Sequence, residues 1–197
     1  MVAEKAPVSL EEFRALERAN PDAKYEYIDG RVSLMSGGTA NHSSIGINVV
    51  GVLRDALGDG PCHVYNSDLH ARLSPTRVTL PDATVTCDPR DVGEITEIQA
   101  PRVVIEVLSD STEAYDRGEK FGYYQACPTV QEYVLVATRR QAVDVFRRAR
   151  QGQVWTYQPY APGDEIELDS ISARFLLAAL YRLTTVPASI PERQGEV

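Results

Sequence analysis

The sequence is poor in the residues that announce common chemistries. It has three cysteines, Cys62, Cys87 and Cys127, far apart and without a Cys-x-x-Cys pair. That spacing argues against a disulfide framework or a cysteine-based zinc site, and predicts reduced, mostly buried thiols. The three histidines, His42, His63 and His70, also lack metal-ligand spacing. No stretch approaches the roughly 20 apolar residues that cross a bilayer. The opening MVAEKAPVSLEEF carries no apolar run of the signal-sequence kind. The expectation is a cytoplasmic protein without a membrane partner. Positive charge is short as well: Lys and Arg number 20 against 28 Asp and Glu, a net charge of -8. This is not the overall footprint of a protein that wraps nucleic acid in a basic surface, whereas an acidic metal site is compatible with it. Gly37-Gly38 is followed by no Lys-Ser or Lys-Thr and is not a phosphate loop. The serines beside His42 have no triad signature. There is no internal repeat or low-complexity segment.

What is present reads as one mixed α/β domain. Its 197 residues, 43% hydrophobic and 24% charged, suffice for one full core. Ser9 and Glu12 form a capping box for a first helix, SLEEFRALERA, ended at Asn20-Pro21. KYEYIDGRVSLM reads as a hairpin about Asp29-Gly30. NHSSIGINVVGVLRDAL has helical apolar spacing, with Asn41 and Ser43 available as caps, and stops at Gly58. CHVYNSDLHARL, DATVTC and RVVIEVL read as strands, the last a near-continuous apolar run and so central. DPRDVGEITEIQA reads as a polar loop. STEAYDRGEKFGYYQA is helical despite Gly118 and Gly122. VQEYVLVA is a buried strand, and AVDVFRRAR pairs with QVWTYQPY around Gln151-Gly152. EIELDSISARFLLAALYRL gives a strand and a short apolar helix, and 184–197 a frayed tail.

Two acids draw attention. Asp82 enters the strand DATVTC and Glu106 sits toward the exit of RVVIEVL. On neighbouring strands both would meet at one end of the sheet, and convergent carboxylates need a proton or a cation between them. Mg²⁺ suits two carboxylates, several waters and a phosphate. Asp116, Lys120 and Tyr124 recur every four residues along one helical face, which can aim Lys120 back at the pair or leave it in a solvated Asp116–Lys120 pair. The clusters Arg139-Arg140 and Arg147 to Arg150 read as a solvated turn or a phosphate-contacting edge. Arg102 and Arg117 would add local positive charge.

The stretches YEYIDGRVSLMSGG, HSSIGINVVGVL, VYNSDLHARL, LPDATV, PRVVIEVLSDSTEAYDRGEKFGYYQ and QEYVLV, in this order, resemble the Uma2 family (DUF820), a PD-(D/E)xK-type nuclease group. The likeness spans about residues 8 to 183. It implies a restriction-endonuclease-like core, helices flanking a central mixed sheet, with an N-terminal helix and hairpin and a C-terminal hairpin and helix. It makes Asp82 the "PD" acid and Glu106 the acid of the (D/E)xK element, both metal ligands for Mg²⁺ or Mn²⁺. Leu108 stands where that element carries lysine, and Lys120 fills the role from the next helix. Glu26 matches the acid of Tyr-Glu-x-Ile-Asp-Gly and would be a further ligand or orient a water; otherwise it is an exposed hairpin residue paired with Lys24 or Arg31. His42 would assist at a helix N-terminus. Asp68, in Ser-Asp-Leu, reads as a structural turn acid. The implied activity is metal-dependent DNA endonuclease, acting as a homodimer with the RFLLAALYRL helix as a candidate interface. The rivals are a non-catalytic binding or regulatory module that retains the fold, and a phosphodiesterase acting on RNA or nucleotides.

Overall fold

The computed structural model describes residues 6–35, 37–149 and 154–189. Helix α1 (Leu10–Ala19) starts at the expected capping box, with Ser9 and Glu12 bonded reciprocally. The hairpin β1 (Tyr25–Ile28) and β2 (Arg31–Leu34) turns at Asp29 and Gly30, both with positive φ, which is the twist a two-residue hairpin needs. Helix α2 (Ala40–Leu57) follows, but its N-cap is Thr39 rather than Asn41 or Ser43. Asn41 instead holds Thr185 through its side chain.

The strands divide between two mixed sheets rather than one. Strands β3 (His63–Asn66) and β4 (His70–Ser74), read from one stretch of sequence, part company at the Ser67-Asp68 turn. The smaller sheet has the order β2-β1-β5-β4-β7, where β5 is Arg77–Thr79 and β7 is Glu97–Ile98. The larger has the order β11-β10-β9-β8-β6-β3. Here β6 is Ala83–Thr86, β8 is Pro101–Val107, β9 is Glu132–Val136, β10 is Val143–Arg148 and β11 is Trp155–Tyr160. Strand β8 runs parallel to β9 and antiparallel to β6. A separate pair, β12 (Glu165–Leu168) and β13 (Ala173–Leu176), leads into a four-residue helix α5 (Leu177–Leu180).

Strand β8 is buried on both faces, which is why it reads as a continuous apolar run. Val103, Ile105 and Val107 pack under α2, α5 and the β12–β13 pair. Val104 and Leu108 pack on the opposite face with Ala71, Tyr124 and Tyr133. Glu106 falls between those two on the second face, between the sheets. The segment before β9 comprises α3 (Glu113–Tyr115), a π turn at Asp116–Lys120, and α4 (Phe121–Ala126).

Several expectations change. Cys62 and Cys87 are joined in a disulfide, because they flank the paired strands β3 and β6; Cys127 is buried and free. Arg147 turns inward to Glu132 and Tyr160, and Arg148 to the carbonyls of Gln125 and Val130, so neither forms a phosphate edge. Arg150 and the Gln151-Gly152 turn lie outside the described residues. Leu177, Leu180 and Tyr181 are spent in the main core, while Leu176 and Leu183 of the same stretch are exposed. Residues 184–187 are docked rather than frayed: Val186 is buried and the Pro187 carbonyl accepts from Gln141. No helix among the described residues is long and apolar enough to cross a membrane.

Gly30 tests the hairpin that presents Glu26. A Cβ there would lie 2.5 Å from Pro7 Cβ, at a φ of +86°. Gly30→Ala should cost about 1–3 kcal/mol in urea unfolding through strain and the displaced Pro7; an unchanged midpoint would mean the turn does not lock the hairpin.

Candidate active site

Asp82 precedes β6 and Glu106 lies near the end of β8. Ala83 pairs with Ile105, so continuing the antiparallel register by one residue sets Asp82 opposite Glu106. The two acids thus meet at one end of neighbouring strands, as their sequence positions suggested. Both line a cavity of about 920 Å³ between the sheets, together with Glu26, Asp116 and Lys120. Arg102 and Arg117 do not line it; Arg117 is paired with Glu113 and Asp144.

Lys120 is not on a solvated surface. It is 1% exposed, and Nζ lies 2.9 Å from Glu106 Oε1, 2.9 Å from Glu26 Oε1 and 3.9 Å from Asp116 Oδ1. Lys120 closes a π turn. Asp116, Lys120 and then Tyr124 are buried while Arg117, Gly118 and Glu119 face outward. π turns recur where a side chain must be re-aimed at a functional site. Leu108, where the nuclease motif carries lysine, shares a face of the core with Val104. The ammonium arrives instead from the helix that covers that face.

The remaining contacts fix each acid. Tyr124 Oη donates to Glu106 Oε1 at 2.7 Å. The Leu80 N–H donates to Glu26 Oε1 at 2.8 Å, so Glu26 is a buried strand residue and not an exposed partner of Lys24 or Arg31. The Val107 N–H donates to Asp82 Oδ2 at 2.7 Å, and His42 Nε2 lies 3.5 Å from the same oxygen. His42 reaches there because residue 38 is glycine: a Cβ at Gly38 would come within 2.7 Å of the imidazole. Asp68 is a turn acid, bonded to Lys24 and Asn66 outside this cluster. The signal for Tyr124 was its four-residue step from Lys120; nothing in the sequence points to the Leu80 and Val107 amides or to Tyr115, which also lines the cavity.

The electrostatics follow from four carboxyl groups around one ammonium. Burial alone would lower the pKa of Lys120, but Glu106, Glu26 and Asp116 more than reverse this and hold it charged. Burial and the neighbouring acids Asp82, Asp116 and Glu26 push Glu106 up to about 8, against the pull of Lys120. Burial also raises Asp82 and Asp116, opposed by His42 and Lys120 respectively. Such a donor set fits a hard divalent cation, which would offset the excess negative charge. Among the described residues no group of three or more His, Cys, Asp or Glu is placed to hold a metal ion. Asp82 and Glu106 are the two carboxylates of the chain that could hold such an ion.

Lys120→Met removes the ammonium that offsets this cluster, and should cost about 3–5 kcal/mol near pH 8. Glu106 binds its proton more tightly folded than unfolded, so it stabilises the fold at low pH and this stability is lost as pH rises from about 4.5 to about 8. The penalty in Lys120→Met should therefore shrink toward pH 5. Unfolding midpoints from pH 5 to 9 check this; a penalty independent of pH would contradict the electrostatic account.

Comparison with known proteins agrees with this architecture. A crystal structure described as "a putative nuclease belonging to DUF820", from Anabaena variabilis, superposes with a TM-score of 0.69 at 21% identity, covering 89% of this chain and 98% of that one. The two chains share one fold. The Synechocystis protein slr1290 is 39% identical over 176 residues, 89% of this chain and 92% of its own length. A second Synechocystis protein, sll1609, is 28% identical over 116 residues, 57% of this chain and 66% of its own. The family model for Uma2, described as "Putative restriction endonuclease", matches residues 10–179. The chain belongs to the Uma2 family.

Proposed function

We propose that this chain is a divalent-cation-dependent endonuclease that hydrolyses phosphodiester bonds of DNA, with Asp82 and Glu106 as the ligands of Mg²⁺ or Mn²⁺. The observation that carries the reading is the meeting of Asp82 and Glu106 at one strand end, with Lys120 Nζ 2.9 Å from Glu106 inside the same cavity. The family description and the nuclease named among the related structures support it. A surface-exposed Lys120 would have favoured a non-catalytic module; its burial favours the enzyme.

The bound ion would stabilise charge developing on the phosphoryl oxygens and lower the pKa of a coordinated water. The chain's own groups have distinct tasks. Lys120, held charged, offsets negative charge at the scissile phosphate and orients a water, but it has no free lone pair and is no general base. Glu26 does not need to be a ligand: it anchors Lys120 and the Leu80 amide, and so positions the ammonium. Tyr124 occupies one oxygen of Glu106 and fixes its rotamer. The Val107 amide and His42 do the same for Asp82, making His42 a positioning residue. The reading includes a homodimer, each chain contributing one such site.

Two isosteric variants test the reading. Asp82→Asn and Glu106→Gln should each lower Mn²⁺ affinity at least about tenfold in calorimetry and cut Mn²⁺-dependent DNA hydrolysis by about 100-fold or more, with the fold retained. Cleavage by Glu106→Gln at the wild-type rate would refute the assignment.

A further inference from the structure

The cavity continues beyond Asp82. A second hollow of about 590 Å³ opens on the other side of His42, and the two share Met35, Gly37, Gly38, His42, Leu80 and Asp82. They form one trough that passes over Asp82. Its first arm ends among the hydroxyls of Ser109, Ser111 and Thr112, with Arg139 at the rim. Its second arm runs along α2, where Ser43 and Gly46 leave room beside Val50 and Ile47, the last 71% exposed, and reaches the Asn66–Asp68 turn.

The trough is poorly equipped to hold a duplex. Duplex DNA carries about one negative charge per 1.7 Å of axis, and proteins grip it with rows of lysine and arginine. Of the cations lining the trough, Lys120 is engaged by Glu26 and Glu106, and Lys24 by Asp68 and Ser67. Arg139 is exposed at the rim but has Asp110 3.8 Å away. Of the arginines outside it, Arg14 and Arg72 hold Glu97, Arg77 holds Asp29, and Arg117 holds Glu113 and Asp144. An unpaired strand halves the charge density, to about one per 3.4 Å. It also brings base faces that an apolar floor such as Ile47 and Val50 can pack against.

Depth points the same way. Glu106 is 4% exposed and Lys120 1%. A phosphate in an intact duplex is held in line with its neighbours and the opposing strand. A phosphate in an unpaired strand can enter a recess because its sugar and base swing aside.

We propose that the trough takes a single unpaired DNA strand, threaded over Asp82 with one flanking nucleotide on the Ser43–Val50 side and the other toward Ser109–Thr112. This rests on the nuclease reading and narrows its substrate class. One site suffices for one strand, whether or not two chains associate.

The test compares circular single-stranded DNA with the same sequence as a closed duplex, using the full-length protein with Mn²⁺ and Glu106→Gln as background. The single strand should be nicked at least about tenfold faster, and a duplex carrying an unpaired bubble should be cut within the bubble. Equal or faster cutting of the closed duplex would overturn the proposal while leaving the nuclease reading intact. No cutting of either substrate above the Glu106→Gln background would remove the nuclease reading and this proposal with it. Ile47→Glu tests the second arm. This exposed substitution should slow single-strand cleavage about fivefold or more, with Mn²⁺ affinity unchanged. An unchanged rate would overturn the threading path.

Discussion

The buried ammonium of Lys120 is the constraint around which the site is arranged. A lysine at this depth loses its hydration, and only close carboxylates make that tolerable. Glu26 comes from the smaller sheet, Glu106 from the larger, and Asp116 from the turn that carries the lysine itself. The two sheets and the turn that follows β8 are thereby tied at one point. The tie is asymmetric, because the carboxyl groups outnumber the cation. Burial, together with that excess, pushes Glu106 up to about 8, and the excess is what a divalent cation would relieve.

Packing and chemistry share the same scaffold. The antiparallel register of β6 against β8 brings Asp82 to Glu106, and the Val107 amide then holds Asp82. The aromatic layer of Tyr124, Tyr133, Phe121 and Phe146 supports the helix from below, so that the Tyr124 hydroxyl meets Glu106 with little freedom. A site held by amides and packed rings costs little reorganisation when substrate arrives, which is the condition for electrostatic catalysis.

Much of this was legible from the chain alone, for identifiable reasons. Asp29-Gly30 between two β-rich runs marks a hairpin wherever it occurs, and Ser9 with Glu12 marks a helix start. An acid at the end of an otherwise apolar strand is an anomaly, and Glu106 stood out as one. The division into two sheets was not legible, because nothing in the loose alternation from His63 to Ser74 says that the turn at Asp68 sends its halves to different sheets. The cysteines misled because spacing says nothing about pairing across β3 and β6. Arg147 and Arg148 looked like surface charge, yet their partners, Glu132 and backbone carbonyls, could be named only once β9 and β10 were side by side. The π turn that carries Lys120 has no sequence signature at all, although the four-residue spacing of Asp116, Lys120 and Tyr124 does.

The central claim is that Asp82 and Glu106 jointly hold a divalent cation beside Lys120. The most direct measurement is a crystal structure with Mn²⁺, read by anomalous scattering at the manganese edge. The account predicts one strong peak about 2.0–2.3 Å from a carboxylate oxygen of each of these two residues, with water completing the shell. A peak bound elsewhere, or full Mn²⁺ occupancy without Glu106 as a ligand, would contradict it.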